Sequence, residues 1–480
     1  MVLQYVKLLP PILDVFRKMY CTCTNSNIGD LTEEVIPYNY GRLDKALKQK
    51  DNKWINAVLV KMGTMSPSNK VKEVTLTPFG PSTGFYSELG LLKVVYEDEN
   101  DPLKPPTDCI VKFLPVGLEK RLVLDLVELP KAEVLCYFYL CRDHEKYGMS
   151  PLPLPTPRIL YADYCQQTNN AMMIMEKINH TLGDQKLPAD LDQAKALMVC
   201  LGRLHAHYWG GKKGKHPKAK LLNDPANPIC LIVGLKMKLL IKKMLKFLKK
   251  ENDYEPSDVI VNALSSLIPT NIQAIFNYCI DHPLNTICHG DPRTDNVYFI
   301  DNPEGSALKY EAGLFDWAQA LIAPCFYDVS WAISQSYDRE FCTEHHDSLV
   351  GLYWETLQES LTANFGAEAA AKAHYEDFLV GYAVCEAMCI SKCTLAFESI
   401  MKDKKSKDYP HKLKLVMDGL ENCLRAMEKL HAVESITKVV NGESPTTEQV
   451  RRDRKRSISI KAMPAGFNPA SSSSAKVVPV

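Results

Sequence analysis

The chain has 480 residues, with 57 basic and 57 acidic side chains, so its formal net charge is zero. That balance argues against a dedicated nucleic-acid binder, and the length allows two domains with substantial cores. No apolar run approaches the ~20 residues of a membrane span, and the sixteen cysteines, spread through apolar stretches such as VCEAMCISKC, read as buried, reduced thiols rather than a disulfide framework.

Residues 1–70 read as a helical leader. MVLQYVKLLPPILDVFRKMY is apolar but broken by Lys7, Pro10, Pro11, Asp14 and Arg17, which suits an amphipathic helix and neither a signal peptide nor a span. DLTEEVI offers a capped helix start and WINAVLVKM an apolar-faced helix, while Cys21-Thr22-Cys23 lacks the further ligands of a zinc site. Residues 71–176 are strand-rich with one helix. The turn GPSTGFYSEL, with Gly80, Ser82, Thr83 and Gly84, precedes an apolar strand LLKVVY. A polar turn leads into a second strand, CIVKFL, with Lys112 inside it. Taken alone, such a lysine reads as an edge-strand charge that discourages aggregation. The helix LPKAEVLCYFYLCRDH then presents Glu133 among apolar residues, with Glu128 as an alternative acid. Pro-dense YGMSPLPLPTPRIL leads on to MIMEKI, Met173 to Ile178.

Residues 177–440 turn mostly helical. DQAKALMVCLGRLHAHYWGG places Ala194, Leu197, Met198, Leu201, Leu204 and Tyr208 on one face and ends at a glycine pair. His205, beside that stripe, reads as a hydrogen-bonded packing residue. GGKKGKH imitates a P-loop but is one residue short and has His216 where Ser or Thr would bind Mg²⁺, so it reads as a basic surface loop. KMKLLIKKMLKFLKK is a basic amphipathic helix, read as a solvated face in preference to a surface for an anionic membrane or an acidic partner.

The most telling segment follows: HGDPRTDN, His289 to Asn296, then the hairpin-like VYFIDNPEGSALKYEAGLF and LFDW. Phosphoryl transfer needs a carboxylate to orient the attacking hydroxyl, and an amide oxygen plus a second carboxylate to hold Mg²⁺ on the phosphates. Asp291, Asn296 and Asp316 fill those roles in that order. Isolated aspartates of this kind are more often solvated loop residues or caps. Here LNTIC before the loop, VYFI after it and LFDW beyond give them the order of a kinase catalytic loop and metal loop. Lys112 would then reach the α and β phosphates, paired with Glu133. After Asp316 the chain runs through IAPCFYDVSWAIS straight into the helices YWETLQESL, an Ala-rich stretch from Ala367 and LKLVMDGLENCLRAMEKL, with no APE-like anchor, which points to a metabolite rather than a protein substrate. His345-His346 adjoins no ligand set. Residues 441–480 are rich in Ser, Pro, Lys and Arg and are expected to be disordered, with Arg454, Lys455 and Arg456 before Ser457 forming either a phosphorylation motif or a solubilising tail.

WINAVL at Trp54, GPSTGFYSEL with LLKVVY, IVKF at Lys112, AEVLCYFY at Glu133, MIMEKI at Glu176, LGRLHAHYW at His205, HGDPRTDN and LFDWAQALIAPCFYDVSWAIS together resemble the choline-kinase and aminoglycoside-phosphotransferase superfamily. The likeness is strongest to its ecdysteroid-kinase-like branch. The resemblance implies an α+β, two-lobed protein-kinase-like fold with a small strand-rich N-lobe and a large helical C-lobe. It implies ATP and Mg²⁺ as cofactors, Asp291 as catalytic base, and Asn296 and Asp316 as metal ligands. Lys112 becomes the phosphate lysine, Glu133 its partner, and Gly80, Ser82, Thr83 and Gly84 the phosphate turn. Met173 to Ile178, with Glu176, becomes a hinge that meets adenine through its backbone, and His289 braces the catalytic loop with Asp328. Two departures stand out: Ser82 replaces a usual glycine, and Arg293 stands where that branch often has Trp. The expectation is a cytoplasmic small-molecule kinase acting on a hydroxyl, with sterol, amino-alcohol and sugar acceptors all compatible. A protein-directed kinase and a catalytically silent nucleotide-binding scaffold are the alternatives.

Overall fold

The structure, a computed structural model, describes residues 27–28, 36–37, 53–79, 87–113, 129–142, 151–165, 171–210, 229–280 and 282–443. Outside them lie most of the N-terminal leader with its CTC motif, the turn of Gly80, Ser82, Thr83 and Gly84, Glu128, GGKKGKH beyond Gly210, and the tail with Ser457. The chain divides into two units, the first being residues 1–179, 216–229 and 315–321 and the second residues 180–215, 230–314 and 322–480.

In the first unit, β1 (Asn27–Ile28) and β2 (Ile36–Pro37) form a short antiparallel ladder. Residues 30–35 of DLTEEVI, the expected helix start, lie outside the described residues, and Ile36 pairs with Ile28 in this ladder. Helix α1 (Lys53–Lys61) buries Ile55, Val58 and Leu59 at helical spacing, and Asn56 Oδ1 accepts the Val71 N–H at 2.7 Å where the sheet begins. The sheet contains β3 (Val71–Pro78), β4 (Glu88–Tyr96), β5 (Asp108–Phe113), β6 (Ile159–Tyr164) and β7 (Ala171–Glu176), all antiparallel in the order β3-β4-β5-β7-β6. Alternation in β4 turns Leu92, Val94 and Tyr96 inward and Lys93 and Val95 out. β6 and β7 are buried almost throughout, as their unbroken apolar runs require. Helix α2 (Leu129–Cys136), extended by a π turn over Tyr137–Arg142, covers them and is itself nearly all buried.

The second unit is mainly helical. Strand β8 (Thr181–Leu182) leads to α3 (Leu191–His207), whose Asp190 side chain accepts the N–H groups of Asp192 and Gln193. The helix stops at His207 with Tyr208 as its C-cap, before the glycine pair, and left-handed Gly210 (φ +69°) then donates its N–H to Asn285 O. Next come α4 (Ile229–Asn252), α5 (Asp258–Asn262, running on through Ala263–Leu267 and Ile268–Thr270), α6 (Ile272–Ile280) and β9 (Asn285–Cys288). Strand β10 (Val297–Asp301) forms an antiparallel hairpin with β11 (Tyr310–Leu314) and pairs with β8 on its other side. After β12 (Leu321–Pro324) the chain closes with α7 (Phe326–Ser336), α8 (Arg339–Phe365), α9 (Ala367–Ala371), α10 (Tyr375–Lys402), α11 (Tyr409–Lys429) and α12 (Ala432–Val440). Helix α10 is the one single described helix long and apolar enough to cross a membrane, yet 89% of its apolar window is buried, which marks it as a core helix. It packs so tightly on α7 that a Cβ at Gly381 would lie 2.1 Å from the Phe326 ring. An antiparallel sheet in one unit and helices in the other make the class α+β.

Candidate active site

Within the first unit, Lys112 sits on β5, an interior strand opposite Leu89 on one side and Met173 on the other. An edge-strand role is therefore excluded. Its side chain projects on the face opposite Cys109, Val111 and Phe113, and its Nζ lies 2.7 Å from Glu133 Oε1 and 2.7 Å from Asp316 Oδ1. Glu133 is 3% exposed and Lys112 11% exposed, so both charges have lost most of their water. Burial pulls the Lys112 ammonium down, but Asp316 and Glu133 outweigh it and hold the group above lysine's ordinary range. Burial pushes the Glu133 carboxyl up to about 7, against the pull of Lys112. Asp316 is backbone-strained, at φ +63° and ψ +60°, in a left-handed conformation that Asp tolerates better than most residues. Its N–H donates to Tyr137 Oη at 3.0 Å, so the π turn after α2 helps hold it in place.

Within the second unit, the loop from His289 to Asn296 leaves the buried strand β9 and turns at Gly290, φ +84°. Asp328, at the start of α7 and fully buried, accepts the N–H of His289 at 2.6 Å and of Gly290 at 2.8 Å. The same carboxylate contacts His205 Nε2 at 3.1 Å, while His205 Nδ1 meets Tyr353 Oη at 2.8 Å, so His205 is locked on both nitrogens. Burial pushes the Asp328 carboxyl up, but the hydrogen bond and charge of His205 outweigh it and leave it below the usual range. His289 Nδ1 accepts the Asp291 N–H at 3.2 Å, so this ring supports the loop from inside. Asp291 Oδ1 accepts the Trp331 indole N–H at 2.5 Å and lies 3.5 Å from Arg293 Nε. Asn296 Nδ2 donates to the Asp291 carbonyl at 2.8 Å and approaches its Oδ2 at 3.3 Å, which leaves Asn296 Oδ1 as that amide's acceptor.

Three supports were not visible in the motif. Trp331 lies three residues beyond Asp328 on the same face of α7, a spacing that would have flagged it. Lys392 on α10 donates to Gly290 O at 2.7 Å and stacks over Trp331 and Tyr327 at 4.3 and 4.8 Å. Burial lowers its ammonium below lysine's ordinary range, with Asp291 opposing. Its signal was a lysine set within the apolar middle of a helix. Gly183 has its own role: a Cβ there would fall 2.1 Å from Thr294 O, so only glycine lets β8 pass under the loop.

In the segment expected to form the hinge, Met173 to Ile178, two backbone amides are engaged. Glu176 N–H already donates to Arg158 O at 2.9 Å and Lys177 N–H to Asp108 O at 3.2 Å, and the Glu176 carboxylate accepts the Arg158 N–H. Those two amides are taken up in strand pairing. Among the described residues, His205, Cys288 and Asp328 bring potential metal-ligand atoms within 4.8 Å of one another. Burial pushes the Cys288 thiol well up, away from the thiolate that a metal needs, and the other two are tied to each other. His346 is engaged by Asp347 and Tyr382 instead.

A buried lysine on an interior strand paired with a helix glutamate, an HGD loop with its asparagine and a following aspartate are the parts of a kinase-like phosphotransferase. The chain belongs to the ecdysteroid kinase-like family, whose profile matches residues 81–364, more than half of its length. It is thus a small-molecule kinase. Curated proteins offer no significant match. Similar solved structures include a choline kinase from Cryptosporidium parvum Iowa II, 10% identical with a TM-score of 0.43, covering 80% of this chain and 99% of that one. A Plasmodium vivax ethanolamine kinase is 12% identical with a TM-score of 0.37, covering 81% and 93%. A spectinomycin phosphotransferase in complex with ADP and spectinomycin is 12% identical with a TM-score of 0.36, covering 74% and 94%.

Proposed function

We propose that the protein transfers the γ-phosphate of ATP to a hydroxyl of a small metabolite. The observation that carries this reading is Lys112, held on an interior strand between the carboxylates of Glu133 and Asp316: a desolvated cation whose charge is kept by two acids is suited to phosphate oxygens. Asp291 serves as the base that orients and deprotonates the acceptor hydroxyl, with its Oδ1 steered by Trp331. Asn296 and Asp316 would hold Mg²⁺; an amide oxygen and a carboxylate are the hard donors that ion prefers, and the ion would neutralise charge on the phosphates. His289 and Asp328 keep the loop in shape. The test is ADP formation by purified protein across a panel of hydroxylated sterols, amino alcohols and sugars. Acceptor-dependent turnover that falls at least ~100-fold in Asp291→Asn, with Mg-ATP affinity kept, supports the reading. Turnover unchanged in that variant overturns it.

A further inference from the structure

Helix α4 buries one stripe, Val233, Met237, Ile241, Met244 and Leu248, at intervals of three and four residues. Its opposite side is unusual. Leu239 is 70% exposed and Leu235 41%, one turn apart, and Leu239 is the most exposed of the large apolar side chains in the described residues. Around them Lys238, Lys242, Lys243 and Lys246 are exposed. At 3.6 residues per turn these lysines span an arc of roughly 140° with both leucines near its middle. No acidic residue occurs in the helix before Glu251, although the whole chain is charge-balanced. The flanking lysines have carboxylate partners, Lys236 with Glu398, Lys249 with Asp253 and Lys250 with Glu251. Among the described residues the four central lysines have no carboxylate within ion-pair distance; Lys243 alone has a distant ring neighbour, Phe397, 6.0 Å away.

We propose that this outward face of α4 docks on an anionic lipid bilayer. A solvated helix face ordinarily interleaves both signs of charge and keeps leucine inside. This one joins uncompensated positive charge to a pair of protruding apolar side chains, the combination that lies flat in a membrane interface: lysine heads reach lipid phosphates while their stems and the leucines enter the acyl boundary. The lysines flank the leucines on both sides along the length of the helix, which matches an extended negative plane better than the localised carboxylates of an acidic protein. The docking is independent of the reaction proposed above.

The test is co-sedimentation of the full chain with vesicles of phosphatidylcholine, alone or mixed with phosphatidylserine. The bound fraction is expected to rise about tenfold on the anionic vesicles and to fall with added salt. Replacing Lys238, Lys242, Lys243 and Lys246 together by Gln should return binding to the neutral-vesicle level, while replacing all four by Arg keeps it. Leu235→Ser with Leu239→Ser should make the binding more salt-sensitive. These positions are exposed, and an unchanged thermal melt checks that the variants fold. Equal binding to both vesicle types, or undiminished binding by the four-Gln variant, overturns the proposal. Capture by soluble polyglutamate without vesicle binding also overturns it and assigns the face to an acidic protein.

Discussion

At the scale of single residues, the buried ions make the sharpest predictions. Removing the cation from a buried pair strands its partner, so Lys112→Met should destabilise the protein by ~3 kcal/mol, because Glu133 loses its counter-ion. Adding Glu133→Gln should recover part of that loss, and urea unfolding of the single and double variants reads the coupling. Nucleotide binding should not recover, since the phosphate cation is gone in both; calorimetry with Mg-ATP separates the two effects. Lys392 makes a different case. Its contacts reach Gly290 O and Trp331, so Lys392→Met should slow turnover roughly tenfold, the equivalent of ~1.4 kcal/mol, by loosening the carboxylate that Trp331 steers. Mg-ATP affinity should stay as in the wild type, and a fall in affinity matching the fall in turnover would contradict this role.

Among elements, legibility followed the range of the forces involved. LLKVVY and CIVKFL announce strands because alternation is local, and HGDPRTDN announces its loop because its residues lie within one turn of chain. The register that places Lys112 opposite Leu89 and Met173 depends on strand pairing across sequence, which no local pattern encodes. For the same reason the pairing that engages the amides of Glu176 and Lys177 is invisible in MIMEKI. Lys392 was hidden by distance, 102 residues beyond the glycine it contacts. The Asp190 cap of α3 is local and its cost predictable: Asp190→Ala removes the acceptor for Asp192 and Gln193 and should cost about 1 kcal/mol in chemical unfolding, while Asp190→Ser costs little.

For the molecule as a whole, acid is the condition to watch. His282 is buried between Tyr278 and Phe326 and accepts the Leu284 N–H on Nδ1, and burial lowers its imidazolium from 6.5 to about 4. The unfolded chain takes up a proton as pH falls through 6.5, whereas the folded chain resists until about 4, so stability is full above that window and is lost across it, by roughly 3 kcal/mol. Glu133 acts in the opposite sense, its raised carboxyl favouring the folded state more at low pH than near 7. The measurement is therefore the difference between wild type and His282→Gln in urea unfolding at several pH values; parallel curves would show that His282 does not set the acid limb. The described cysteines include twelve buried ones and the half-buried Cys141, all free thiols. Burial pushes Cys109, Cys200 and Cys325 up to about 12. Alkylation of these thiols should track global unfolding rather than precede it. Finally, the β10–β11 hairpin joins Asn296 at its start to Asp316 just past its end, and its tip from Pro303 to Ala307 is exposed around left-handed Gly305, where an added Cβ would meet nothing. A chain opened at that tip would divide into one fragment bearing Lys112, Asp291 and Asn296 and another bearing Asp316, Trp331 and Lys392. Each half would be inert alone, and recovered turnover on mixing would turn the enzyme into a reporter of its own reassembly.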